Sequence, residues 1–398
     1  MELLNFRGLL GFLICIVSSG PLLECAHGPN GPELSGNVKS LDVYGDSGMI
    51  HLLLATNTGD QKNASLFYTS SSNIGSSWDS YTPIDTSCAP AFARGRGSDF
   101  QIAASGKRIL VVWMQHGTGF MGRGPLSSAF SSDGGKTWRN VGNPADDGSD
   151  GDHAFIDLTA DDRGNFHAVW LDKRSGTDKG LYSAFFESNS QKWNKNSTLD
   201  SKVCDCCWNV VKSSRRGRLH ALYRDKVPRD MGLAISHDYG KSWRKAGPVG
   251  DFQWMFEACV HVGGGLAIEE KEGKDHLHAV VWTGNEFDPG LYYLSQKNQE
   301  GSWHEPLRLG GLECSLPDIG VSDCGQLAIA WIERASDRNT LTFLKHSKGK
   351  KMDPKKAIRL KTNVESPTHP KILNVGNSFL LFWSGQKDGR EVWRYVRL

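Results

Sequence analysis

One pattern recurs seven times along this chain: a glycine or polar turn, then an apolar strand that often ends in tryptophan. The copies run Met49 to Leu54, Arg108 to Trp113, Asn165 to Trp170, Arg218 to Tyr223, His276 to Trp282, Gln326 to Trp331 and Ser378 to Trp383, spaced about 50 to 58 residues apart. A second apolar stretch follows each copy, as at Leu126 to Phe130 and Leu341 to Lys345. Another precedes most copies, as at Phe155 to Thr159, and a fourth begins after each later Trp. Four strands in a period of roughly 50 residues is the arithmetic of a β-propeller blade. The expectation is an all-β chain, a β-propeller of four-stranded blades. Seven units are counted, and six plus a partial unit is the alternative. The seventh ends at Leu398 after three strands, so an N-terminal strand near Leu34 to Val38 is expected to close the ring.

The turns carry a sharper mark. Ser131 to Trp138 and Ser236 to Trp243 share the form S-x-D-x-G-x-[ST]-W, and Ser71 to Trp78 differs by Asn73 in place of Asp. Eroded copies end at Trp193 and Trp303. The carboxylate can accept backbone N–H groups in the turn, the glycine can take positive φ, and the Trp can cover the sheet edge. These residues read as structural. The turn resembles the Asp-box, or BNR, repeat of the sialidase superfamily, and the likeness covers nearly all of the mature chain. The resemblance implies the propeller fold more than an activity, since Asp-boxes also occur in non-hydrolytic propellers.

Export is expected. Arg7 precedes an apolar run from Leu9 to Val17, too short to span a bilayer and right for a secretory signal. Residues 1–27 are assigned to signal and processing, 28–37 to a linker or closing strand, and 38–398 to a single propeller domain. No other apolar run is long enough to cross a membrane, so a secreted or periplasmic location follows. Lys+Arg is 46 and Asp+Glu is 44, a net charge of +2. That balance lacks the positive excess a polyanion partner requires, which argues against nucleic acid.

A propeller sorts its polar residues by geometry. The starts of the innermost strands and the loops between second and third strands open on one face, away from the Asp-box turns. Arg94, Arg96, Asp99, Asp152, Glu257 and His261 fall at the first kind of position. Arg174, Tyr223, Arg224, Arg229 and Arg334 fall at the second. So many charged groups at strand ends suggest a binding site. The sialidase resemblance implies roles for them. Arginines would clamp a substrate carboxylate: Arg94, Arg96, Arg174, Arg224, Arg229 and Arg334. Tyr223 with Glu257 would be nucleophile and base, and Asp99 or Asp152 would be the acid. The substrate would be a carbohydrate or glycoconjugate, an acidic sugar in an exo-glycosidase, with no cofactor. The Arg-Ile-Pro stretch usual in sialidases is absent at Phe92-Ala93-Arg94-Gly95-Arg96. A propeller that binds glycan or protein without catalysis is a further alternative.

The cysteines suggest another class. Cys204-Asp205-Cys206-Cys207 is read as starting an inner strand, with Cys259 starting the next. Strand alternation would send Cys204 and Cys206 to one side and Cys207 to the other. Cys204, Cys206, Cys259 and His261 would suit copper or zinc. A disulfide from Cys204 or Cys206 to Cys259 is the competing expectation, and Cys314 with Cys324 is a second candidate pair. The run Val203 to Cys207, with Tyr223-Arg224-Asp225 and Arg229-Asp230, also resembles an uncharacterised group of exported Asp-box proteins, a likeness that implies no chemistry.

Overall fold

The computed structural model describes residues 34, 36–57, 62–93, 97, 99–174, 176–297, 302–335 and 338–398. The expected signal segment lies outside them, as do Arg94 and Arg96. Each of the seven sequence copies is the second strand of a unit: Met49–Asn57, Arg108–His116, Phe166–Asp172, Arg218–Arg224, Lys274–Thr283, Leu327–Arg334 and Ser378–Lys387. These strands are apolar almost throughout because neighbouring units cover both faces. Trp113, Trp170, Trp331 and Trp383 are each under 2 % exposed. At about 200 Å² per ring, each such burial contributes on the order of 5 kcal/mol before entropy is counted.

All ladders are antiparallel, and most run between neighbours in sequence joined by short turns. Ser47 (φ 49°) and Gly48 (φ 82°) make one such turn between Asn37–Asp46 and Met49–Asn57. Two successive positive φ values match the twist of the strands they join. The first two units share one nine-stranded sheet, because Ala91–Phe92 pairs with Asn63–Ser71 on one side and Arg108–His116 on the other. In the third unit Lys179–Glu187 pairs with both Lys192–Trp193 and Ser197–Val203. The fourth, fifth and sixth units are four-stranded sheets, and the seventh has three strands among the described residues.

The strand expected to complete the seventh unit goes elsewhere. Val38 pairs with Thr56, so this segment belongs to the first unit as part of its first strand. It meets the last unit through side chains instead. The Glu391 N–H donates to Asn37 Oδ1 at 3.0 Å, and Lys39 pairs with Glu391 at 2.6 Å.

The turns of the form S-x-D-x-G-x-[ST]-W sit between third and fourth strands. Asp133 Oδ1 accepts from the N–H groups of Lys136 and Thr137, its Oδ2 accepts from the Thr137 hydroxyl, and Ser131 Oγ accepts from the Gly135 N–H. Asp238 repeats the arrangement with Ser242, and Asn73 with Ser77. These hydrogen bonds, led by the Thr137 hydroxyl, hold the Asp133 carboxyl below its ordinary range.

The first strands form the inner layer: Asn37–Asp46, Gln101–Ser105, Ala154–Ala160, Val210–Ser214, Gly265–Lys271, Cys314–Val321 and Glu365–Val375. Each packs against the next, and the last against the first. Three aspartates on this layer reach across to the following unit. Asp42 accepts from the Ile102 N–H at 2.9 Å, Asp157 from Val211 at 2.6 Å and Asp318 from Ile372 at 2.7 Å. Each carboxylate satisfies a backbone donor that the strand leaves unpaired on its inner side.

Candidate functional site

A cavity of about 320 Å³ lies inside the ring of first strands, and every unit contributes to its wall. Its charged core is Asp42, Asp99, Asp157, Asp318, Lys212 and Lys371. Lys371 stands 3.4 Å from Asp42. Burial lowers the affinity of its amine for a proton, but Asp42, Asp157, Asp318 and Asp99 together hold the ammonium above its usual value. Desolvation dominates at Asp42, Asp99 and Asp157. Asp99 is pushed up to about 6, against the opposing pull of Lys371 and of the Trp208 indole. Asp157 is also pushed up to about 6 by burial, with Lys212 opposing.

Trp208 supplies the aromatic wall. Its Nε1–H donates to Asp99 Oδ2 at 2.7 Å, and its ring meets Phe155 and His369 edge to face at 5.5 and 5.6 Å. The cavity thus combines a carboxyl raised by burial, an ammonium and an indole. A polyhydroxylated ligand can use all three: hydroxyls on the charged groups and C–H faces on the ring.

Most of the expected catalytic and binding residues are elsewhere. The Tyr223 hydroxyl donates to Asp200 at 3.0 Å within the core between the third and fourth units, and burial pushes its phenol well above the usual range. Glu257 is exposed on the 249–264 loop, so the expected Tyr–Glu pair is not assembled. Asp152 is buried in an ion pair with Lys179 at 3.1 Å and Arg123 at 3.7 Å. Arg174 is occupied by Asp172 and Asp146, at 2.7 and 2.8 Å. Arg224 gives its donors to the carbonyls of Val262, Arg229 and Trp282. Arg229 gives its Nε–H to Phe256 O at 2.7 Å. Arg334 is exposed at a strand end. None of these four expected substrate clamps lines the axial cavity, and Arg94 and Arg96 lie outside the described residues. Strand ends concentrate charge for structural reasons as well, because loop carbonyls there need donors. Of the expected catalytic set, Asp99 alone lines the cavity.

The cysteines do gather. Residues 204–207 form a turn between Ser197–Val203 and Val210–Ser214, so strand alternation does not apply to them. Cys204 Sγ lies 3.8 Å from Cys206 Sγ and 3.4 Å from Cys207 Sγ. The Cys206 and Cys207 thiols directed at its sulfur, with Arg229 adding charge, hold Cys204 below the usual thiol range. Cys259 and His261 arrive on the 249–264 loop, ahead of the strand that Cys259 was expected to begin. The donor atoms of Cys206, Cys259 and His261 lie within 4.8 Å of one another, as do those of Cys204, Cys206 and Cys207. All seven cysteines among the described residues are free thiols, so neither the Cys204 or Cys206 to Cys259 disulfide nor the Cys314–Cys324 disulfide is formed.

Cys207, Trp208, Lys371 and the rest of the cavity's charged core (Asp42, Asp157, Asp318 and Lys212) are not among the site residues expected from sequence. Cys207 was assigned to the wrong side by a strand rule applied to a turn. Trp208 and Lys371 carry no motif that marks a site, and only the packing of the first strands brings both to the cavity.

No family model matches this chain, and no curated protein matches it. Solved structures match in fold. The polysaccharide lyase Uly1 is 11% identical with a TM-score of 0.53, over 96% of this chain and 93% of that one. A mutant of Trypanosoma rangeli sialidase displaying trans-sialidase activity is 12% identical with a TM-score of 0.50, over 95% and 57%. Another matched T. rangeli sialidase is covered over 59% of its length, so this chain spans about three fifths of such enzymes. At these identities the likeness establishes the sialidase-like, propeller-type fold of this chain.

Proposed function

We propose that the chain is an exported, carbohydrate-directed propeller of seven closed blades, with its saccharide site in the axial cavity. The observation that carries this reading is Asp99. It is bonded to Trp208 at 2.7 Å on the wall of a cavity that holds Lys371, and burial there pushes its carboxyl up to about 6. Such a carboxyl suits proton donation to a glycosidic oxygen near neutral pH. Trp208 would pack against the sugar ring. Lys371 and Lys212 would meet the carboxylate of an acidic sugar, in place of the expected arginine clamp. No cofactor enters this chemistry.

The test is a panel of acidic and neutral oligosaccharides, scored for binding and for cleavage with parent and Asp99→Asn proteins. The expected result is binding by both, with cleavage reduced at least about 100-fold in the variant and, in the parent, falling as pH rises through 6. Binding to none of the panel, or cleavage indifferent to Asp99→Asn, would overturn the proposal.

A further inference from the structure

We infer that Cys206, with Cys204, Cys207, Cys259 and His261, forms a binding site for a soft d¹⁰ cation, zinc(II) or copper(I), apart from the axial cavity. The argument begins with spacing. A metal–sulfur bond of about 2.3 Å in tetrahedral geometry puts two thiolates about 3.8 Å apart. The Cys204–Cys206 separation is 3.8 Å and the Cys204–Cys207 separation is 3.4 Å, with no disulfide formed among them. Cys206 belongs to both donor groups, so the turn and the loop converge on one sulfur. Four thiols and one imidazole are a soft set, suited to these two cations and poorly suited to magnesium or calcium.

The surrounding residues hold this geometry in place. Three thiols occupy a turn whose first residue is tied to the fourth unit, since the Cys204 N–H donates to Arg224 O at 2.9 Å. The other two ligands ride on the 249–264 loop, which lacks ladder bonds of its own. Arg224 and Asp230 anchor it. Arg224 Nε donates to Val262 O at 3.1 Å, one residue beyond His261. Asp230 accepts from the N–H groups of Gln253 and Trp254 at 2.8 and 3.2 Å. Arg229 adds two bonds, its N–H to Trp254 O and its Nε–H to Phe256 O, both at 2.7 Å. Arg224 and Arg229, two of the six arginines read from sequence as substrate clamps, are thus positioning residues for the ligand loop. Gly263 completes the approach. A Cβ there would stand 2.9 Å from Trp208 O, so a side chain would push the loop off the cysteine turn.

Exposure provides a route in. Cys204, Cys206 and Cys207 are buried, His261 is partly buried and Cys259 is exposed. A cation would meet Cys259 first and pass inward to the thiols. Each thiol that ligates gives its proton to solvent, and no electron is transferred.

The test uses the full chain, purified reduced and without oxygen. Zinc(II) is titrated against a chromophoric zinc chelator and copper(I) against bathocuproine disulfonate; the tighter of the two identifies the ion. Cobalt(II) serves as a spectroscopic probe through its sulfur-to-metal charge-transfer bands. The expected result is one ion per chain, with thiolate bands on cobalt loading. Cys206→Ser should weaken binding at least about 100-fold, and Cys259→Ala or His261→Ala about 10- to 100-fold. The last two substitutions lie on the loop and leave the core intact, so they keep the test valid if Cys206→Ser does not fold. Failure to hold either metal against these chelators would overturn the inference. So would retention of parent affinity by Cys259→Ala and His261→Ala, or a disulfide between these cysteines by mass spectrometry of the freshly purified chain.

Discussion

Tyr223 and Asp99 show how much a residue's role depends on which way its strand faces. Both stand at strand ends, and both carry groups suited to glycoside chemistry. Tyr223 faces a neighbouring unit, where its hydroxyl donates to Asp200 and the ring joins the core. Tyr223→Phe should therefore cost about 1 kcal/mol of stability, the net worth of one hydrogen bond. It should leave glycan binding and cleavage unchanged, as read by thermal unfolding and the oligosaccharide panel. Asp99 faces the axis, and its indole partner follows directly after the cysteine turn. Side-chain chemistry was legible at both positions, but facing was not, because it depends on where a strand begins relative to its neighbour.

At the scale of the element, turns that make their own hydrogen bonds were readable and loops held from outside were not. The Ser131 to Trp138 turn meets most of its donors from within: Ser131 and Asp133 accept from Gly135, Lys136 and Thr137, and only the Gly134 N–H goes outside it, to Lys107 O. Asp133→Ala should lower stability by roughly 1 kcal/mol, measured by denaturant unfolding, without moving ligand affinity at either site. The 249–264 loop is the opposite case. Its course depends on Arg224, Arg229 and Asp230 from the preceding unit. Arg229→Gln should weaken metal binding about 10- to 100-fold while every ligand remains present. A loss in Arg229→Gln that matches Cys206→Ser would instead mean that the loop has come away altogether. The cysteine turn lies between these cases. Its thiols were visible in the sequence, but their convergence required breaking the two-residue alternation of a strand.

The whole molecule sets the electrostatics of the axis. Asp157 holds its proton to about pH 6 in the folded chain because burial disfavours the carboxylate. The unfolded chain releases that proton near 4. Between those values the folded state binds more protons, so this group's contribution to stability falls as pH rises from about 4 to about 6, then levels. His51 and His220, held down to about 4 by burial, act oppositely over nearly the same window. The readout is therefore a difference. Asp157→Asn keeps an acceptor for the Val211 N–H, and its melting temperature relative to the parent should climb by a few degrees between pH 4 and pH 6. A difference independent of pH would show that the Asp157 carboxyl is not desolvated by the ring.

The sequence by itself determined the seven second strands and the turns of the form S-x-D-x-G-x-[ST]-W. Each of these rests on contacts within about 10 to 20 residues, where periodicity and turn chemistry act directly. The tertiary structure decided the sites. The axial cavity takes a wall from every unit, and the metal site joins a turn at residues 204–207 to a loop some 50 residues later. Distances across the ring depend on how the units pack face to face, a sum of many small apolar contacts that no local stretch of residues encodes.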